Sequence, residues 1–443
     1  MNSIQTHKNI SITCILFFLL GLSSTMPIVG IPLAGRYFTI FNILFIVTFA
    51  FCLLKTFSKN EVNIIVKSIN SRTRLLFVFF FIEVIAAFIG LFFLPQNWSR
   101  QIFSYLIKSI EYAALFLLIM CEDEDDKEVV VTSFMNGLLF GCIVNAVWGI
   151  VQAILWYIGK ISLNQLLFSR AIRNEKQVGI YVNVYYGIRV SGLNTDPAHL
   201  GALLPILFYY STRRRKTILI LLCLVSLAFS GSTTALLAIA FCSFIMIFRF
   251  DCLGKKTSIS SHTVLKTLLG ILCVALMILS LRNTEIFLRL SGNTTGFLSR
   301  VLDVYGNASE STRGTYYLNV FNELYRRLPF AFFGTGLGTS GYAYYDFPEA
   351  AIQGVFDVES TYLSYLFDVG IVGLLVYLIL LGKSFFVLRN KDDEKINILL
   401  MGVLLSIIAT GISYHYIITT YQIIPLFFIT LINNKTINSE KSN

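Results

Sequence analysis

An all-α fold, a polytopic integral membrane protein with about twelve transmembrane helices and a large extracytoplasmic loop before the tenth, is what the sequence predicts. Three observations predict it. The chain of 443 residues is 56% hydrophobic and only 14% charged, with a mean hydropathy of +0.72. Its apolar runs repeatedly approach the roughly 20 residues that a helix needs to cross a bilayer. Between those runs the charges sort by type, lysine into one set of loops and arginine into the other. Residues 1–443 therefore read as a single polytopic membrane domain.

Taken in order, the candidate spans run from Ile10 to Ile28, Tyr37 to Leu54, Leu75 to Leu94, Ile102 to Met120, Val129 to Ile158, Pro197 to Tyr210, Thr217 to Phe229 and Thr233 to Phe248. Val264 to Leu281, Tyr362 to Leu381, Ile396 to Tyr414 and Ile417 to Ile432 complete the set. The first has only Lys8 ahead of it and no small-residue cleavage site before Tyr37, so it reads as a helix rather than a removed signal. The fifth is long; the sixth and seventh are short. The eight cysteines fall mostly inside apolar runs and show no CxxC spacing. Neither a zinc site nor a disulfide framework is indicated, and no metal or cofactor is expected.

Loop charges set the orientation. Lys55, Lys59, Lys67, Arg72 and Arg74, the run Arg213 to Lys216, then Lys255 and Lys256, and finally Lys383, Arg389, Lys391 and Lys395 all fall on one side. That side is cytoplasmic by the positive-inside rule, which also accounts for part of the net charge of +10 without nucleic acid. The acidic segment Cys121 to Glu128 falls on the same side and reads as a solvated loop. Two large loops face outside, Gly159 to Asp196 and Arg282 to Val358. Their cations are mainly arginines, among them Arg170, Arg189, Arg300, Arg313, Arg326 and Arg327. Guanidinium is the planar, two-pronged binder of phosphate and carboxylate, so an anionic ligand outside is expected. Salt bridges with Glu175, Glu285, Asp303 and Glu310 are the alternative.

Within the spans the ionisable residues are few. Glu83 could reach an interfacial partner, Lys108 and Glu111 stand three apart and can pair, and His415 lies near a helix end. They form no acidic ladder of the kind a proton-coupled transporter carries. Chemistry is expected in the second outer loop. Ser311 is a good N-cap, and apolar residues at three- and four-residue steps from Thr312 to Arg327 predict an amphipathic helix with Arg313 in its first turn. A cation there is unfavourable by the helix dipole and invites a local anion. The helix stops at Pro329. The run Gly334-Thr335-Gly336-Leu337-Gly338 follows, free to turn and to point N–H groups at an anion, or else simply a flexible loop. Tyr342, Tyr344, Tyr345 and Phe347 cluster beside it, suited to sugar faces or to anchoring at the bilayer interface.

Four stretches carry a family resemblance. G187-I-R-V-S-G-L-N-T-D-P-A-H-L-G201, S230-G-S-T-T-A-L-L237, S311-T-R-G-T-Y-Y-L318 with F333-G-T-G-L-G338, and E359-S-T-Y-L-S-Y-L-F-D-V-G-I-V-G373 resemble, in order, the motifs of the O-antigen polymerase and O-antigen ligase superfamily. Two positions depart from it. Thr233 stands where the family's turn carries an arginine, a contact that Arg189 or Arg300 would have to supply. Glu359 stands at the histidine position of the ligases, which favours a polymerase. The resemblance implies a metal-independent glycosyltransferase in the bacterial cytoplasmic (inner) membrane with its site facing outside. It would move a glycan from undecaprenyl pyrophosphate onto a lipid-linked repeat unit, building O-antigen of lipopolysaccharide, capsule or exopolysaccharide. Glu359 and Arg313 would be catalytic, and Arg189, Arg300, Asp196, His199, Tyr344 and Tyr345 substrate-binding. The implied partners are the lipid-linked oligosaccharide, the bilayer and a chain-length regulator protein. A ligase, or a lipid-linked oligosaccharide flippase, is the alternative.

Overall fold

The structure, a computed structural model, describes residues 12–33, 36–58, 71–168, 181–183, 187–194, 196–252, 312–326, 328–343, 360–389, 394–412 and 420–431. It is mainly helical. In chain order the helices are α1 (Ile12–Ser24), α2 (Ile40–Ser58), α3 (Ser71–Phe93), α4 (Ser99–Met120), α5 (Glu124–Gly159), α6 (Leu163–Phe168), α7 (Pro197–Arg213), α8 (Thr217–Ser230) and α9 (Thr233–Cys252). After an interval come α10 (Thr312–Arg326), α11 (Leu328–Phe333), α12 (Thr361–Asp368), α13 (Gly370–Arg389), α14 (Lys395–Thr410) and α15 (Thr420–Leu431). The candidate spans Val264 to Leu281 and most of the second outer loop lie outside the described residues.

Among the described residues, five stretches are long and apolar enough to cross a membrane: Ile40–Phe57, Ser71–Phe93, Gln96–Met120, Glu124–Gly159 and Gly370–Arg389. Ile12–Ser24, Thr217–Ser230, Thr234–Met246 and Lys395–Thr410 are shorter apolar helices. Their outward faces carry exposed Phe81, Phe92, Ile218 and Phe386, a surface suited to lipid and not to water. α7 and α14 differ, because nearly every residue of each is buried. These two stand against one another, with α8 and α9 also packed on α7, at the centre of the bundle.

Small residues allow the closest crossing. An added Cβ at Gly21 of α1 would meet the Phe134 carbonyl oxygen of α5, and one at Gly137 would meet that of Phe18. Gly137 and Gly141 form a small-xxx-small face, the pattern by which membrane helices bring their backbones together. At the N-terminal end of α5, Lys55 of α2 bonds both Glu122 and Asp126 at 2.8 Å. The acidic segment is therefore not a freely solvated loop: Glu122 is 5% exposed and Glu124 opens the helix. A desolvated carboxylate requires a cation, and α2 delivers one.

The expected helical architecture holds, and two short hairpins are added to it. Among the described residues there are two antiparallel hairpins, β1 (Gly30–Leu33) with β2 (Arg36–Thr39) and β3 (Tyr181–Asn183) with β4 (Gly187–Arg189). Gly30 opposes Thr39 and Leu33 opposes Arg36 in the first; Tyr181 opposes Arg189 in the second. Each hairpin pairs backbone N–H and C=O groups that no helix takes up.

Candidate active site

β4 and the residues after it enter the bundle instead of lying on it. Val190 N donates to Phe229 O at 3.1 Å, which stitches the strand to the last turn of α8. The following Ser191–Asn194 loop is buried and polar, so its backbone needs partners from the helices. α5 supplies them: Gln152 Oε1 accepts from Gly192 N at 2.9 Å, and Asn145 Oδ1 accepts from Leu193 N at 2.9 Å. Asn164 of α6 donates to Gly192 O at 2.8 Å while accepting from Trp148 Nε1 at 2.8 Å. Asn145 also donates to Thr25 O at 2.9 Å, tying the same loop to the end of α1.

This clamp places Arg189. Its Nε donates to the Ser230 carbonyl at 3.3 Å, so the guanidinium stands at the turn between α8 and α9. That turn is the S-G-S-T-T stretch, where Gly231 takes φ +54° and α9 begins at Thr233. A cation at the carbonyl end of α8 is favoured by the helix dipole. Asp196 and His199 lie at the other end of the same loop. The Asp196 carboxylate accepts from Ala198 N at 2.6 Å as the N-cap of α7, and His199 N donates to Asp196 O at 3.1 Å.

The second part is built on the glycine run. Gly334, Gly336 and Gly338 take φ +76°, +101° and +75°, conformations that side chains with a Cβ resist. The run is neither flexible nor open to an outside anion. Gly338 N donates to Asp368 Oδ2 at 2.9 Å and Thr339 N to Asp368 Oδ1 at 3.2 Å, while Gly336 N donates to Asp368 O at 2.8 Å. Thr339 Oγ1 stands 2.7 Å from Thr335 Oγ1 and 3.3 Å from Asp368 Oδ1. The anion this backbone nest holds is internal, a carboxylate with no exposure at all. A Cβ at Gly90 of α3 would meet Thr335 O, so the run sits directly on the bundle.

α14 joins the two parts at its C-terminal end. Ser406 Oγ donates to Ala202 O of α7 at 2.6 Å, and Gly411 O accepts from Thr361 N at 2.9 Å at the start of α12. Glu359, Arg300, Tyr344, Tyr345 and the side chain of Arg313 lie outside the described part of the structure, as does His415. Arg313 is the second residue of α10, whose Val320 and Leu324 pack towards Phe330, Phe367 and Trp98. Glu83 does not reach the interface: it is 3% exposed in the middle of α3 and bonds Ser109 of α4. Lys108 lies 5.5 Å from the Tyr105 ring centroid.

The comparisons with known proteins follow this geometry. The sequence model of the O-antigen ligase family matches residues 217–378, from the start of α8 into α13. No curated protein matches the chain. The matched stretch holds the turn after α8, the glycine run and Asp368; Arg189, Asp196 and His199 precede it. Together with the chain's apolar helices, the match indicates a multi-pass membrane protein. Over residues 217–378 the chain is similar to the O-antigen ligase family; three of the four stretches that carry the resemblance to the O-antigen polymerase and ligase superfamily fall inside the match, and Gly187 to Gly201 precedes it.

Proposed function

We propose that the protein is a polysaccharide polymerase of about twelve spans in the bacterial cytoplasmic membrane. It transfers a growing glycan from undecaprenyl pyrophosphate onto a lipid-linked repeat unit at the outer face. The observation that carries the reading is Arg189 at the Ser230 carbonyl, because it supplies a guanidinium at the turn whose own arginine position is Thr233. A pyrophosphate leaving group needs fixed positive charge where its own charge develops, and arginines fill that need. Gly159 to Asp196 and Arg282 to Val358 form the outer surface. Arg189, Arg300 and Arg313 engage the pyrophosphates, Asp196 and His199 line the approach, and Tyr344 and Tyr345 offer ring faces to sugars. Glu359, immediately before the anchored Ser360, is the base that takes the acceptor hydroxyl's proton.

Polymerase is favoured over ligase because Glu359 stands at the histidine position and the outer loop from Arg282 to Val358 contains no histidine. The test is a gel of surface glycan from cells carrying only variant protein. The Arg189→Ala, Arg313→Ala double variant, accumulated normally, should leave single repeats on the final acceptor. Glu359→Gln should do the same, because loss of a general base costs about 10²–10⁴ in rate. Polymer stranded on the carrier lipid would identify a ligase, and normal chain length in both variants would remove these residues from the reaction.

A further inference from the structure

We propose that Asp368 is a positioning residue: its carboxylate is the anion around which the glycine run turns, and it seats the Leu328–Ala343 segment on the α12–α13 junction. The inference rests on the polymerase reading only where it speaks of activity. The seat itself is a matter of hydrogen bonds. Asp368 is fully buried, and both carboxylate oxygens receive backbone N–H groups from residues thirty positions earlier in the chain. Charge-assisted bonds of this kind are about twice as strong as neutral ones. The main chain doubles the link: Thr335 N and Gly336 N donate to Asp368 O at 3.1 and 2.8 Å, and Gly370 approaches Phe332 O so closely that a Cβ would strike it.

The seat has a direction. On one side of it α11 leads back to α10, the helix that bears Arg313. On the other, α12 begins at Thr361, two residues after Glu359. Asp368 thus adds a charge-assisted link between two stretches that the Ser340–Ser364 contact and the packing of Val320, Leu324 and Phe330 with Phe367 also join. An asparagine has the same shape but presents one oxygen and one NH₂ group, so it cannot accept from both Gly338 N and Thr339 N. One N–H would face a donor, and the turn would lift from the helix. Asp368 touches no outside molecule in this role, so the effect on chemistry comes through the geometry of its neighbours.

Ser340 and Ser364 report on the seat, because their hydroxyls meet at 2.9 Å across it. In the full-length protein in native membranes, a Ser340→Cys, Ser364→Cys pair should form a disulfide readily on mild oxidation. Adding Asp368→Asn should slow that cross-link several-fold, and Thr339→Val, which removes the hydroxyl but leaves both backbone donors, should slow it less. Polymer output of reduced Asp368→Asn should fall by up to about 10²-fold, the penalty of displacing a reacting group by about 1 Å. Oxidising the cysteine pair in the same Asp368→Asn protein should restore most of that output. Lost fold stability alone would not be repaired in this way, nor would a lost reacting carboxylate. Cross-linking of Asp368→Asn at the wild-type rate would overturn the proposal, as would failure of the closed disulfide to restore output. Should Asp368→Asn fail to accumulate, the Thr339→Val cross-linking rate decides, and an unchanged rate would overturn the proposal equally. If deleting the whole protein left surface glycan unchanged, the polymerase reading would fail while a slowed cross-link would still uphold the seat.

Discussion

Asp196 and Asp368 are both carboxylates held by backbone N–H groups, yet their surroundings assign them different work. Asp368 is fully buried with its acceptors committed within the fold. Asp196 is half-buried and caps α7 by accepting from Ala198 N at 2.6 Å. Capping and ligand binding separate by substitution. Asn caps a helix as well as Asp does, whereas Ala forfeits about 1 kcal/mol. Asp196→Ala should therefore lower the thermal midpoint in detergent while Asp196→Asn should not. If the Asp196 charge also serves the substrate, Asp196→Asn should shorten the glycan at an unchanged melting temperature. Wild-type chain length in Asp196→Asn would confine the residue to its cap.

At the scale of elements, what the sequence disclosed depended on how far apart the interacting residues lie. α3, α4, α5 and α13 were legible because a continuous apolar run is sufficient cause for a membrane helix. α10 was legible from its three- and four-residue period, and the turn after α8 from Gly231. The hairpins were not, since their strands are too short to establish a period of two. Nor was the seat of the glycine run, whose partner carboxylate lies inside another apolar stretch some thirty residues on. The pairing of Lys55 with Glu122 and Asp126 was hidden for the same reason. α3 offers a direct test of the seat's tightness. Gly90→Ala would press a methyl against the Thr335 backbone, which has no flexible side chain to yield, and overpacking of this kind costs about 1–3 kcal/mol. Gly382→Ala on α13 meets nothing within 4 Å and should instead gain the roughly 0.8–1.0 kcal/mol by which Ala exceeds Gly in a helix. Melting curves that moved Gly90→Ala and Gly382→Ala in the same direction would contradict this packing.

Across the whole molecule, the described contacts sort into two ends. At one end Lys55 meets Glu122 and Asp126, and Arg72 donates to Ile429 O at 2.9 Å, capping the last turn of α15 with a cation. The run Arg213 to Lys216 joins α7 to α8 at that same end. At the other end stand the Ser191–Asn194 clamp, Arg189, the glycine run and the junction of Gly411 with Thr361. α5 connects the ends: its 36 residues extend about 54 Å, well beyond a hydrocarbon core of about 30 Å. Its first turn and its C-cap Lys160 therefore emerge on opposite sides. On the proposed orientation the lysine-rich end faces the cytoplasm. Lys160 and Lys216 are both exposed, one at each end, whereas Cys14, Cys52, Cys121, Cys142, Cys223 and Cys242 are buried or half-buried, and labelling is read against the unsubstituted protein. In intact cells a membrane-impermeant maleimide should label Lys160→Cys at once and Lys216→Cys only after the membrane is opened. The reverse pattern would put Arg189 and the glycine run in the cytoplasm, where no glycan carried on the outer leaflet could reach them, and the polymerase reading would fall with the orientation.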